Sequence, residues 1–469
     1  MEKLFQLKKN NTTIKTELIA GLITFCAMVY ILMVNANMYT NSLSNGENII
    51  GISYGAVYVA TAISAALGCF LMGFIANLPI SLASGMGLNA FFVYTVCISF
   101  GFSYENALVT ILIEGLIFLI LAICGGLKKI YDAIPFCVRG AISAGIGLFM
   151  ALLGLQNAGI IVPNNVTGVA LNSFNLLNVP AQSILPTVVA LFSLFAIAIM
   201  AKKNVKGAIL WGILFGVAMY YLLGLFIADF YTNLQISTMN PLISLKQFFD
   251  EAFCKVFISG FDFSEYISNY GLSNFILVIS TTSISFCLIN IFDNIGSLQA
   301  TCEQGNLIDK EGKPKNFNKA MLANSLSATL GSLLGISTVT TYVESTTGIS
   351  EGGRTGLTTV FTGIFFLLAI FLSPLAKLIP SCATSAALIY VGVLMMSSVK
   401  NIDWKSTEIS IPAFLTICMM SFSYNVSNGI AFGLLAYAII NTFIGKIKEI
   451  KPVTWLIIML FAATLLFSH

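Results

Sequence analysis

The sequence predicts an all-α polytopic membrane protein of about 14 transmembrane segments in two inverted repeats of seven, the third and tenth segments short and broken. Three observations predict it. Hydrophobic residues are 57% of the 469 and charged ones only 9%, against roughly 25% charged in a soluble domain. Apolar stretches recur along nearly the whole chain, and about 20 such residues suffice for a helix to cross a bilayer. With the N-terminus placed inside, 20 of the 23 Lys and Arg fall on inner connections, a strong positive-inside bias.

Residues 1–16 are polar and basic, carry no cleavable signal pattern, and are expected in the cytoplasm of a cell-membrane protein. A first repeat, 17–229, holds spans near 17–40, 55–77, 85–99, 104–124, 133–160, 183–201 and 206–229. The polar connection 230–272, with Asp250, Glu251, Asp262 and Glu265, is expected outside. A second repeat, 273–445, holds spans near 273–300, 318–337, 341–350, 355–375, 379–398, 408–424 and 428–445. The inner charges are then Lys3, Lys8, Lys9, Lys15, Lys128, Lys129, Arg139, Lys202, Lys203, Lys206, Lys310, Lys313, Lys315, Lys319, Arg354, Lys400, Lys405, Lys446, Lys448 and Lys451. Only Lys246, Lys255 and Lys377 fall outside. Within 446–469 the apolar stretch 453–468 has two placements: a fifteenth crossing, or a segment following a shallow hairpin at 408–445.

The third segment of each half is short and polar: NLPISLASGMGLNAFFVYTV in the front, GISTVTTYVESTTGISEGGRTG in the back. Seven is odd, so the halves face opposite ways. Interrupted segments at matching positions are the pointer to a transporter's midplane site, because unwound backbone frees N–H and C=O groups there. Two carboxylates lie in these surroundings, Asp293 and Glu344. A charge at bilayer depth is costly, and marks a site unless it is paired. The pattern is that of a transporter.

Other classes find no support. The ten cysteines occur singly, with no CxxC pair or metal spacing, and the only histidine is His469. Neither HExxH, GxSxG nor a P-loop occurs. Neither an enzyme, a cofactor, a metal nor a nucleic-acid partner is expected.

The strings ELIAGLITFCAMVYILMVNANM, LASGMGLNAFF, AISAGIGLFMALLGLQNAG, FDNIGSL, STVTTYVES, GISEGGRTGL and ALIYVGVLMM resemble the nucleobase:cation symporter 2 family, in its adenine, guanine and hypoxanthine branch. They span residues 17 to about 445. The resemblance implies core and gate domains, proton-coupled uptake of a purine nucleobase, a site between the third and tenth segments, and often a homodimer in the bilayer. Carried over by motif, the eighth-segment acid is Asp293, the tenth-segment acid Glu344 and the third-segment amide Asn89. Two positions depart from the pattern: Ser84 where a Pro is usual, and Asn294 in a stretch usually written DTxGT.

A purine presents N–H donors and ring-nitrogen acceptors on its edges. A carboxylate accepts two parallel N–H bonds strongly, which suits Glu344 to grip that edge, and Asn89 has both donor and acceptor for a second. Gly87 can expose its backbone N–H, and Thr341 lies on the same broken segment as Glu344. Phe91, Phe92 and Tyr342 offer an apolar wall or plain packing. Burial disfavours a carboxylate's charge, which suits Asp293, and secondarily Glu344, to carry the coupling proton. Glu114 reads as a structural brace, Arg354 as an interface anchor or partner of Glu351, and Gln156 and Asn157 as gate or packing residues. Which purine is preferred stays open. The alternative is an anion transporter of sulfate or bicarbonate type with the same seven-plus-seven architecture.

Overall fold

The computed structural model describes residues 2–40, 48, 50–127, 135–164, 168–173, 180–205, 207–227, 240–305, 307–308, 314–376, 378–447 and 450–467. Lys128, Lys129, Lys206, Lys310, Lys313, Lys377, Lys448 and His469 lie outside the described residues, as does the side chain of Arg139.

Short polar caps start the helices, as unpaired N-terminal N–H groups require. Thr13 caps α1 (Ile14–Thr40), Ser53 caps α2 (Tyr54–Ala76), and Ser103 caps α4 (Tyr104–Ile123). Proline precedes α5 (Phe136–Asn157) and α6 (Ala181–Lys202), and α7 (Ala208–Gly224) follows. Then come α8 (Leu272–Gln304) and α9 (Phe317–Leu333). The last part of the chain forms α11 (Gly356–Leu372), α12 (Ser381–Met396), α13 (Thr407–Phe422) and α14 (Val426–Phe443). A further helix, Pro452–Phe467, packs on α8 and α14. Among the described residues eight helices are long and apolar enough to cross a membrane, and α3 (Met86–Ser99), α7, α11 and α13 are shorter apolar helices.

The third and tenth segments break for local reasons. Asn77 ends α2 in the left-handed region (φ 52°), and Pro79 follows it before the extended β1 (Leu82–Ser84). Gly335 (φ 79°) ends the turn after α9. The β-branched run Thr338–Thr341 then favours extended chain and forms β2 (Val339–Thr341), which leads into the short α10 (Ser345–Ser350). β1 and β2 pair antiparallel, with Leu82 opposite Thr341, Ala83 opposite Thr340 and Ser84 opposite Val339. The pair is extended at both ends: Gly85 N–H donates to Thr338 O (3.0 Å), and Tyr342 N–H to Ser81 O (3.1 Å). Backbone at membrane depth must be satisfied internally. The two broken segments do this for each other.

Helix contacts sort the chain into a core of α1, α2, α3, α4, α8, α9, α10 and α11 and a gate of α5, α6, α7, α12, α13 and α14. Each has a close crossing made by facing glycines. A Cβ on Gly356 would lie 2.2 Å from Gly73 O, welding α11 to α2 in the core. A Cβ on Gly392 would lie 2.5 Å from Gly147 O, doing the same for α12 and α5 in the gate. Small residues allow such approach where lipid supplies no hydrophobic drive between helices. Side-chain bonds also tie core to gate: Asn37 Nδ2 to Thr384 Oγ1 (3.2 Å), Thr95 Oγ1 to Tyr424 O (3.1 Å) and Ser427 Oγ to Ser285 Oγ (2.9 Å).

Candidate functional site

The strand pair places the two predicted acids beside each other. Glu344 follows β2 by three residues and is half-buried; Tyr30, wholly buried on α1, donates its hydroxyl to Glu344 Oε1 at 2.8 Å. Asp293, also half-buried, lies on α8, with the Thr340 side chain of β2 beside its carboxylate. The two carboxylates are near enough to feel each other's charge. Beside them Val343 is 47% exposed, while an added Cβ on Gly296 of α8 would meet nothing within 4 Å among the described residues. This corner of the core is open.

Asn89 is differently situated. It begins α3 just after β1, is wholly buried, and its Oδ1 accepts from Ser84 Oγ (2.7 Å) and from the Ser337 hydroxyl. Its Nδ2 has no partner among the described residues. The amide's acceptor is therefore occupied and only its donor remains. Gly87 is half-buried against the gate, where a Cβ would meet Ile146 of α5 at 2.4 Å. Thr341 is buried: its N–H (2.8 Å) and hydroxyl (3.0 Å) both donate to Asn294 Oδ1, and its hydroxyl also bonds Ser297. Phe91 and Phe92 are wholly buried, the first against Phe286 (centroids 4.5 Å apart), the second stacked on Tyr39 (5.4 Å). Tyr342 donates its hydroxyl to Ser84 O at 2.6 Å. These aromatics serve packing.

The two departures from the family pattern both find partners. Ser84 supplies a hydroxyl to Asn89 and a carbonyl to Tyr342. Asn294 ties α8 to β2. Arg354 donates Nη1 to Ile349 O (2.6 Å) and Gly353 O (2.9 Å), and Gln156 donates to the Tyr424 hydroxyl across the gate.

Sequence reasoning missed three residues. Tyr30 sits in an apolar run and gave no signal. Glu17 looks like an ordinary first-turn acid, yet it is wholly buried and accepts from Arg354 N (3.0 Å), Thr358 N (3.0 Å) and Thr358 Oγ1 (2.5 Å), capping the start of α11 from α1. Asn290 was readable, since Asn290, Asn294, Ser297 and Thr301 recur at helical spacing along one face of α8.

A seven-plus-seven bundle with crossed broken segments defines a multi-pass membrane transporter, not an enzyme. The chain belongs to the permease family, whose model matches residues 15–448. It is 36% identical over 467 residues to an adenine permease, AdeP, of Escherichia coli strain K12, covering 100% of this chain and 96% of that protein. It is 35% identical over 468 residues to a guanine/hypoxanthine permease, PbuG, of Bacillus subtilis strain 168, covering 100% of both. Among solved structures, the transmembrane domain of the cyanobacterial bicarbonate transporter BicA superposes with a TM-score of 0.57 at 14% identity, over 90% of this chain and 97% of that one. Murine Slc26a9, an anion transporter in its inward-facing state, superposes at 0.58 and 14% identity over 91% of this chain and 68% of that one. At that identity the likeness is one of fold.

Proposed function

We propose that the chain imports purine nucleobases across the cell membrane by proton symport with alternating access. The observation that carries the reading is Glu344: a half-buried carboxylate at the crossing of two broken segments, oriented by a single phenol and beside a second acid. Its free lone pairs suit two parallel N–H groups on a purine edge. The unpartnered Nδ2 of Asn89 suits a ring-nitrogen acceptor once the crossing opens. Gly87 and Thr341 shape the same crossing, and Asp293 carries the coupling proton, with Glu344 as its partner in charge. The core–gate bonds at Thr384, Tyr424 and Ser427 are those that a rocking motion would break and remake. In this reading 17–229 and 273–445 are the two repeats, 230–272 lies outside, and the N-terminus is cytoplasmic. The full-length matches to adenine and guanine/hypoxanthine permeases support the substrate class.

The anion reading is supported by fold likeness alone. Two neighbouring carboxylates at the crossing disfavour it, because they repel a negative substrate.

The test is uptake of labelled hypoxanthine by proteoliposomes, with and without an inward proton gradient, against excess unlabelled adenine, guanine, xanthine or uracil. Accumulation that collapses with the gradient and yields only to certain purines is expected. Uptake indifferent to every purine overturns the substrate class, and accumulation indifferent to the proton gradient overturns the coupling.

A further inference from the structure

Glu114 is a further acid inside the bundle, in addition to Asp293, Glu344 and Glu17, and the reading above leaves it unused. It lies mid-helix in α4, wholly buried in the run Ile111 to Ile123. A carboxylate persists in such a place only when hydrogen-bonded. Two neutral donors bond it: Asn290 Nδ2 to Oε1 at 2.7 Å, and Thr338 Oγ1 to Oε2 at 2.9 Å.

The bonds continue beyond Asn290, and they all point one way. Asn294, one turn further along α8, donates its Nδ2 to the Asn290 side-chain oxygen and to Asn290 O (2.7 Å). Asn294 Oδ1 in turn accepts the Thr341 N–H at 2.8 Å and the Thr341 hydroxyl at 3.0 Å. The relay therefore runs from the strand to the acid: Thr341 to Asn294, Asn294 to Asn290, Asn290 to Glu114. Both Glu114 oxygens accept, which obliges Asn290 to turn its NH2 inward and its oxygen outward. That oxygen fixes Asn294 the same way, and Asn294 is left with an oxygen facing β2. Head-to-tail bonds of this kind reinforce one another in a low dielectric. Reversing Asn294 would set its NH2 against the Thr341 N–H, and reversing Asn290 would set its oxygen against the carboxylate and its NH2 against that of Asn294.

What the relay holds is the strand that bears the site. Thr340, beside Asp293, adjoins Thr341, and Glu344 follows three residues after β2. We propose that Glu114 is a positioning residue for the nucleobase site: its accepting oxygens, through Asn290 and Asn294, set the place of β2 and so of both site acids. This deepens the function proposed above and rests on it.

The test uses the full-length protein in nanodiscs, comparing E114Q, N290D and the exchange pair E114Q/N290D. Two readouts are taken: hydrogen–deuterium exchange of peptides covering 338–346 without substrate, and the KM of purine uptake in proteoliposomes. The amide introduced by E114Q keeps the shape but donates as well as accepts, so it no longer forces the relay's direction. Exchange in 338–346 is expected to quicken, and KM to rise, by about tenfold, while peptides within α11 stay as in the wild type. In the exchange pair the carboxylate introduced by N290D is the acceptor-only group, both for the amide of E114Q and for Asn294. Asn294 then keeps its orientation, and both readouts return towards wild type. Unchanged exchange and KM in E114Q, or an exchange pair no better than E114Q, overturns the proposal, since a space-filling brace would move neither selectively. Should E114Q not fold, N294S ends the relay from its other end, and unchanged exchange in 338–346 overturns it equally. The exchange readout needs no purine, so a wild type indifferent to every nucleobase would count against the substrate class alone.

Discussion

The third and tenth segments are built alike and furnished differently. Each is an extended stretch of three residues followed by a helix, and they pair with each other in register. After β1 the polar residue, Asn89, is wholly buried and has its oxygen doubly bonded by Ser84 and Ser337. After β2 the polar residue, Glu344, is half-buried, beside an exposed Val343, and is oriented by Tyr30. The inverted repeat supplies two equivalent frames, and the proposed function places the charged grip on substrate in the second of them. In this reading a change on the tenth segment strikes function, whereas one on the third strikes stability first.

The sharpest break of that contrast is Glu344→Gln. It keeps shape and the Tyr30 contact but removes the charge that strengthens two N–H bonds, each such bond to a charged group being worth about 1.5–3 kcal/mol. Purine kcat/KM should fall by roughly a hundredfold, with the amount of folded protein unchanged. Near-normal uptake would mean that the ring edge is gripped elsewhere. Asp293→Asn should act on coupling instead: concentrative uptake is lost while counterflow exchange of purine continues. Full gradient-driven accumulation by that variant would remove Asp293 from the proton path.

The asymmetry was half legible in the sequence. Two polar, glycine-containing interruptions at matching places gave the crossing, and the acids in apolar surroundings gave Asp293 and Glu344, because composition and position along the chain report burial in lipid directly. What the sequence could not report is which partner each polar atom finds. Asn89 reads as a group with donor and acceptor both free, but two serines, one of them 248 residues away, occupy its oxygen. Glu17 reads as a first-turn acid and serves as the cap of a helix from the other repeat, 341 residues on. Asn294 departs from the family pattern, and its side chain is bonded within the fold. Such pairings depend on the inverted packing of the halves, which no local pattern encodes. The polar face of α8 was the exception, since its helical spacing was there to be read.

A finer test of the tenth segment is Tyr30→Phe. The phenol is buried and its hydroxyl orients Glu344 from 2.8 Å. Its loss frees the carboxylate to rotate without exposing new surface. Purine KM should rise about tenfold, less than for Glu344→Gln, with kcat little altered. An unchanged KM would show that Glu344 needs no orienting partner, and would leave the strand pair as the sole source of its geometry.

The smallest effect is expected on the third segment, from Ser337→Ala. The substitution takes away one of the two hydroxyls on Asn89 Oδ1 and leaves the 2.7 Å bond from Ser84 in place. A buried acceptor that keeps one partner loses about 1 kcal/mol at most, which thermal unfolding in detergent would read as a modest drop in the midpoint. Purine KM should stay within about twofold of wild type, because the Asn89 oxygen is held by the fold and not offered to substrate. A KM shift larger than that of Tyr30→Phe would invert the contrast: the third segment would then be tuned for recognition as closely as the tenth, with its two serines aiming the Asn89 amide at the purine.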